Sequence, residues 1–333
     1  MSFRQSYLIR FYFLIKRQLL QAISRRTDRK PRKEATSPIE AFNFHRQAQS
    51  QRARTLGMLL IPLDADYTIP LRRAPDMREA CNEAYGAGEA ASVVSLRELL
   101  GLIGAHEWRK KGVAIPAVQV RIHAHYGVFS PVRGEYVDLV AKAPLPAGTE
   151  LAFDIGTGSG VLAAVLARRG INKVIATDQD PRALACARDN LTRLGLSGQV
   201  QVLDSALFPD ATPTLAGLIV CNPPWLPGKP GSPLEHAIYD PDSRMLRGFL
   251  HGLAARLMPG GEGWLVLSDL AEHLGLRSRE TLLQWISAAG LQVLGRSDAR
   301  PQHPKAFEKT DPLYQARRQE LTSLWRLSAK KIQ

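Results

Sequence analysis

Two short segments carry the residues best able to do chemistry. The first is Asp154-Ile155-Gly156-Thr157-Gly158-Ser159-Gly160. Alternate glycines let a chain turn tightly and let a ligand approach the backbone. A helix that begins there offers unpaired N–H groups. Asp178 follows 24 residues after Asp154, close to the ~20-residue spacing at which an acid meets a ribose diol. A dinucleotide site prefers GxGxxG with a pyrophosphate on the helix start, and the acid that opens this motif would sit poorly beside pyrophosphate. No Gly-Lys-Ser/Thr follows, so a P-loop is excluded. Asp154 suits an ammonium group and Asp178 suits a ribose. S-adenosylmethionine carries both.

The second segment is Asn222-Pro223-Pro224-Trp225, directly after the apolar run Leu218–Cys221. A proline-rich turn at a strand end would account for it structurally. Its composition also fits a particular task. An amide or nucleobase NH2 is a poor nucleophile because its lone pair is delocalised. Two acceptors that take its hydrogens favour a pyramidal, more nucleophilic nitrogen. The Asn222 side-chain oxygen and the Pro223 carbonyl can be those acceptors. The two prolines stiffen the backbone, and Trp225 can stack on a planar target. A sulfonium methyl donor is already activated, so no strong base is required.

The segments AFDIGTGSG, ATDQD and CNPPW, over roughly residues 125–330, resemble class I S-adenosylmethionine-dependent methyltransferases of the HemK-like, small-methyltransferase group. That group contains release-factor glutamine N5-methyltransferases, and its NPPY/F/W motif also occurs in enzymes that methylate exocyclic amines of RNA or DNA bases. The resemblance implies a Rossmann-like, seven-stranded, doubly wound α/β sheet with a smaller, mainly helical N-terminal domain. It implies that Asp154, Gly156, Thr157, Gly158 and Gly160 line the methionine and ribose of the cofactor, with Asp178 on the ribose hydroxyls. Asn222, Pro223, Pro224 and Trp225 would hold the target nitrogen. An acid near the end of the third strand often meets the adenine. Distance to the Asn-Pro-Pro motif puts that position at Ala206, whereas the nearby acid is Asp204. The glutamine enzymes usually carry tyrosine where this chain has Trp225, and Ser130–Glu135 matches their PRPxTE stretch only in part. The leading substrate implied is a glutamine of a translation-factor-like protein. The alternatives are a base of RNA or DNA, or a non-catalytic protein that keeps the fold to bind nucleic acid or membrane.

The elements that must position these residues are legible from periodicity. Short apolar strands are expected at residues 150–155, 173–178, 200–203, 216–221 and 264–267, with a last one at 321–327. Helices are expected at 160–169, 181–195, 243–259 and 279–289. Alternation of this kind predicts a doubly wound sheet. Upstream, residues 95–108 and 134–141 read as helices and 118–123 as a strand. The divisions expected are a basic arm and linker at 1–56, a small substrate-recognition domain at 57–145, and a catalytic domain at 146–333. Pro227–Pro241 is a candidate lid. His123 and His125 share a strand face but lack a third ligand, so no metal is expected.

Composition sets the remaining bounds. The 333 residues are 45% hydrophobic and 23% charged, which excludes collagen, coiled coil and wholesale disorder. Cys81, Cys186 and Cys221 are scattered and odd in number, which suits a reducing compartment and a cytoplasmic location. The net charge of +13 is uneven, because residues 1–56 hold 13 Lys/Arg against 3 Asp/Glu. Leu8, Phe11, Ile15, Leu19 and Ile23 recur at helical spacing among Arg10, Arg17 and Gln21. Such an arm could lie on anionic lipid or follow phosphates. Residues 1–27 lack acids, which also fits an organellar transit peptide.

Overall fold

A computed structural model describes residues 34–72, 74–209, 215–301 and 307–330, and the readings made on the first 33 residues lie outside these. The chain divides into two compact units, one ending at Trp108 and one beginning at Arg109.

In the first unit, α1 (Pro38–Gly57) replaces most of the expected linker. Its start explains why. The Ser37 hydroxyl accepts from the Glu40 N–H at 3.3 Å, and Glu40 Oε2 accepts from the Thr36 N–H at 2.7 Å. This reciprocal cap satisfies donors that a helix start leaves unpaired, and it outweighs a composition with only Phe42 and Leu56 buried. Strand β1 (Leu60–Leu63), helix α2 (Arg78–Tyr85), strand β2 (Ser92–Ser95) and helix α3 (Leu96–Lys111) follow. β1 and β2 pair antiparallel, and α3 buries Leu96, Leu99, Leu102 and His106 on one face.

The second unit opens with the antiparallel pair β3 (Val113–Ile115) and β4 (Val120–Ile122), then α4 (Glu135–Lys142). Ile115, Ile122, Tyr136 and Val140 share one core with Ala152, Val174 and Leu218 of the large sheet. The expected division between residues 145 and 146 therefore falls inside this unit. Then come β5 (Leu151–Ile155), α5 (Val161–Arg168), β6 (Lys173–Asp178), α6 (Pro181–Arg193), β7 (Val200–Asp204) and β8 (Ala216–Cys221). The chain continues through α7 (Arg244–Leu253), β9 (Leu257–Ser268), α8 (Leu270–His273), α9 (Arg279–Ala288), β10 (Leu291–Ala299), α10 (Tyr314–Gln319) and β11 (Thr322–Ala329).

Seven strands form one sheet in the order β10-β11-β9-β8-β5-β6-β7. The five from β9 to β7 in that order run parallel, and β11 is antiparallel to both neighbours. This is the expected Rossmann-like architecture. Both faces are covered, so the central strands are largely apolar, with Asp154 of β5 a buried exception. Ala152, Leu218 and Val220 face one core, and Phe153, Ile155, Ile219 and Cys221 face the other.

Two features of the large sheet differ from the sequence reading. The helix expected to reach Pro259 ends at Leu253, and β9 begins at Leu257. Gly260 adopts φ +80°, and a Cβ on Gly261 would lie 3.0 Å from the carbonyl oxygen of Ala216. Glycines at these positions let an irregular strand start press against β8. Strand β10 has no counterpart among the expected elements. It is an edge strand that leaves Val293 and Leu294 exposed, with a bulge between Val293 and Gly295 that breaks any alternation.

The chain reverses direction across the sheet at β5, which has β6 on one side and β8 on the other. Ligands of such sheets sit outside the carboxyl ends of the strands at this switch point. Both chemical segments leave the sheet there.

Candidate active site

The loop after β5 is shaped by three glycines that no other residue replaces easily. Gly156, Gly158 and Gly160 have φ of +72°, +55° and +80°, a region in which a Cβ clashes with the following carbonyl. The Thr157 N–H donates to the Thr177 carbonyl at 2.8 Å, which ties the loop to β6. Gly160 leads into α5, whose first amides have no partner within the helix.

Asp154 holds this loop from beneath. It is 1% exposed, and its Oδ2 accepts from Thr157 Oγ1 at 2.7 Å and from the Ala163 N–H at 2.9 Å. Burial, with help from the nearby Asp178 charge, raises its pKa to about 6 against the pull of those two bonds. Residue type and position suggest a ligand ammonium as the partner of this carboxylate. In the structure its bonds instead set the shape of the loop and the first turn of α5.

Asp178 ends β6 and stands at the lip of the crevice, half-buried. Its Oδ2 accepts from the Gly158 N–H and its Oδ1 from the Asp180 N–H, both at 3.0 Å. Burial pushes its pKa up, while these amide bonds hold it down. Asp204 pairs with Asp178 in register at the end of β7 and is exposed, as is Ala206.

These residues fit S-adenosylmethionine. A Cβ on Gly158 would meet nothing within 4 Å, so the loop backbone faces open space. The Asp178 carboxylate, able to accept ribose hydroxyls, is bonded to the N–H of that same glycine. Gly156 is the tight position of the loop, since a Cβ there would collide with the Met245 methyl of α7.

Asn222 emerges from β8, the strand beside β5, and is half-buried. The Trp225 indole Nε1–H donates to its Oδ1 at 2.8 Å. An indole nitrogen only donates, so this bond identifies which end of the Asn222 amide is oxygen and holds it. Sequence suggests a stacking role for Trp225, and the orienting bond is additional. The Arg133 guanidinium lies over the Trp225 ring at 5.3 Å from its centroid. Arg133 in turn bonds Glu135 and Glu320, each at 3.0 Å, and Glu320 is 2% exposed.

Beyond Trp225 the chain leaves and returns. Leu226 exchanges backbone bonds with Ile238 and Asp240 at 3.1 and 2.9 Å, closing the base of the Pro227–Pro241 loop. Asp240 caps α7 by accepting from the Met245 and Leu246 N–H groups. The buried Arg277 reaches both ends of this segment, donating to the Trp225 carbonyl and to Ser243 Oγ at 3.5 and 3.4 Å. His123 and His125 point to separate partners, the Arg109 carbonyl and Asp189 Oδ2.

The structure thus brings Asp154, Gly156, Thr157, Gly158, Gly160, Asp178, Asn222 and Trp225 to one end of the sheet around the switch point. Glu320, Arg277 and Met245 also belong to this region, and sequence reasoning does not find them. No local pattern could reveal Glu320, which meets Arg133 from 187 residues away.

A parallel sheet with one antiparallel strand, a glycine loop after its central strand and an Asn-Pro-Pro-Trp turn beside it are the features expected of a class I methyltransferase domain. Residues 119–282 match the family model described as Methyltransferase small domain, and S-adenosylmethionine is the cofactor of that domain. Among curated relatives, a ribosomal protein L11 methyltransferase of Pelotomaculum thermopropionicum is 43% identical over 84 residues, covering 25% of this chain and 26% of the relative. A tRNA1(Val) (adenine(37)-N6)-methyltransferase of Pedobacter heparinus is 33% identical over 136 residues, covering 37% and 58%. A release factor glutamine methyltransferase of Cereibacter sphaeroides is 34% identical over 152 residues, covering 44% and 50%. The chain spans less than two thirds of each of these relatives.

Proposed function

We propose that the protein transfers a methyl group from S-adenosylmethionine to a planar, sp2-bonded NH2 nitrogen, with a protein glutamine as the leading substrate. The observation that carries this reading is the oriented Asn222 oxygen at the carboxyl end of β8, one strand from the glycine loop. An amide oxygen has two lone pairs. One takes the Trp225 indole, and the other remains to accept an N–H of the substrate. The Pro223 carbonyl accepts the second N–H. The bound cofactor supplies a methyl group activated by its sulfonium. Holding both hydrogens draws the substrate lone pair out of conjugation and toward that methyl. The proton leaves after transfer, so the site needs no strong base. Arg133 lies over the Trp225 ring, which also packs on both cores, so a planar target would stack only on the part of the ring that this packing leaves exposed.

A second reading, an exocyclic amine of a nucleobase, is favoured by the basic residues 1–56, since phosphate contacts supply most non-specific nucleic-acid affinity. Both readings use the same Asn222 chemistry. Incubation of the full chain with cell extract and radiolabelled S-adenosylmethionine separates them. Label released only by protease supports glutamine, and label released only by nuclease supports a base. Asn222→Ala should abolish labelling and keep cofactor affinity. Wild-type labelling by this variant would overturn the mechanism.

A further inference from the structure

We propose that the face formed by α7 and α9 binds the sugar–phosphate backbone of single-stranded RNA. A groove of about 480 Å³ runs between these helices, walled by Arg244, Arg247, His251 and Trp285 and floored by Gly248 and Ala288. Helical spacing accounts for the wall. Arg244, Arg247 and His251 sit at i, i+3 and i+7 on the exposed face of α7, while Leu246, Phe249 and Leu253 are buried beneath it. Their side chains span about 10 Å of helix.

Three observations indicate the occupant. The groove is one-signed, because residues 243–261 and 281–297 contain no Asp or Glu at all. No carboxylate pairs with the Arg244 or Arg247 guanidinium among the described residues. Unpaired arginines present a planar fork that matches phosphate oxygens. The groove is also aromatic: Arg247 lies over the Trp285 ring at 5.4 Å. Basic grooves with an aromatic platform suit single strands, whose phosphates meet the cations and whose bases stack on the ring. Trp285 packs in part on the core beneath and in part lines the groove, where a single strand offers bases to stack and an acidic peptide does not.

The groove also leads somewhere. The first turn of α7 borders the cofactor loop, where Met245 rests against Gly156. A strand lying along α7 therefore runs toward the candidate active site. The binding inference does not depend on which atom is methylated, and it is tested without methyl transfer.

The test uses the full chain and a labelled single-stranded RNA oligonucleotide, followed by fluorescence anisotropy across a salt series. Arg244→Gln/Arg247→Gln should weaken binding and reduce the slope of log affinity against log salt by about 1.4, since each phosphate no longer neutralised removes ~0.7. Trp285→Leu should weaken binding about 5- to 100-fold with the slope unchanged, as expected when a stack is removed. Calorimetric binding of S-adenosylmethionine should match wild type in each variant, which reports an intact fold. Unchanged RNA affinity and slope in the double variant would overturn the proposal and leave RNA binding to residues 1–56. Displacement of the RNA by a polyglutamate peptide as readily as by unlabelled RNA would also overturn it, in favour of a protein partner.

Discussion

Replacing Trp225 with phenylalanine removes one donor and keeps an aromatic ring under Arg133. In the wild type the indole N–H lies 2.8 Å from Asn222 Oδ1. That bond joins two neutral groups, so its net worth is about 1 kcal/mol. Without it the two amide orientations of Asn222 become nearly equivalent, and only one offers an oxygen to the substrate. A preference of about 1 kcal/mol keeps about five in six Asn222 amides in the competent orientation, and losing it leaves about half, so the rate should fall about twofold. The loss should fall on kcat. The indole donates to Asn222 and to no group of the glycine loop, so the cofactor Kd should stay within about twofold. Steady-state turnover with radiolabelled S-adenosylmethionine measures the first quantity and calorimetry the second. Wild-type kcat in Trp225→Phe would mean that the indole does not orient Asn222. A parallel fall in cofactor affinity would mean that Trp225 supports the cofactor pocket, and the orientation argument would fail.

Three further outcomes probe the cofactor side. Gly158→Ala places a methyl where the structure leaves open space at φ +55°; it should cost about 1 kcal/mol of stability, or about 2–4 °C in Tm, while cofactor affinity measured by calorimetry falls at least about tenfold. Asp178→Ala removes a carboxylate positioned to accept hydroxyls, and charge-assisted bonds of this kind predict about a 10- to 100-fold weaker cofactor Kd; an unchanged Kd would place the ribose elsewhere. Asp154→Asn addresses pH. The native pKa of about 6 lies above the ordinary value of 3.8, so the folded state holds this proton more tightly. Its contribution is favourable in acid, is lost as pH rises from about 4 to 6, and leaves a full cost of about 3 kcal/mol above pH 6. Asparagine does not titrate, so denaturant unfolding should show the variant gaining on wild type between pH 4 and 6 and running parallel above it. Parallel curves throughout would show that Asp154 carries no such shift.

The parallel half of the sheet is legible in sequence because its strands are buried on both faces, and continuous apolar runs such as Ala216–Cys221 record that burial directly. Strand β10 lacks that record. As an edge strand it has one neighbour, and its polar, bulged sequence carries neither alternation nor a run. Helix α1 escapes a reading by periodicity for a related reason. Its composition is polar, and its signal lies in the cap Ser37-Pro38-Ile39-Glu40 rather than in a hydrophobic stripe. At the site, glycine spacing discloses the loop because φ values of +55° to +80° leave few other residues available. The bond between Trp225 and Asn222 is within reach of sequence, three residues apart, but residue type alone does not say whether the indole stacks or donates.

The chemistry proposed at Asn222 asks only for a planar NH2, so it cannot by itself distinguish a glutamine from a base. Selectivity has to come from groups that hold the rest of the substrate. On one side Arg133 closes a face of Trp225, and the arginine is itself held by two carboxylates, one of them fully buried. That anchoring keeps the guanidinium from turning toward a substrate anion, so this wall is geometric rather than electrostatic. On the other side, Arg277 is buried with long bonds to Trp225 and Ser243, and its Nε has no partner among the described residues. Burial pushes its pKa down, as expected when a cation lacks a close counter-ion. This arginine ties Trp225 to Ser243, just outside the two ends of the Pro227–Pro241 loop, whose base is closed by the backbone bonds of Leu226 to Ile238 and Asp240. The same loop leads through Asp240 into α7, whose exposed face carries Arg244 and Arg247. The loop is therefore the segment that joins the Asn222 turn to the helix that carries the basic groove.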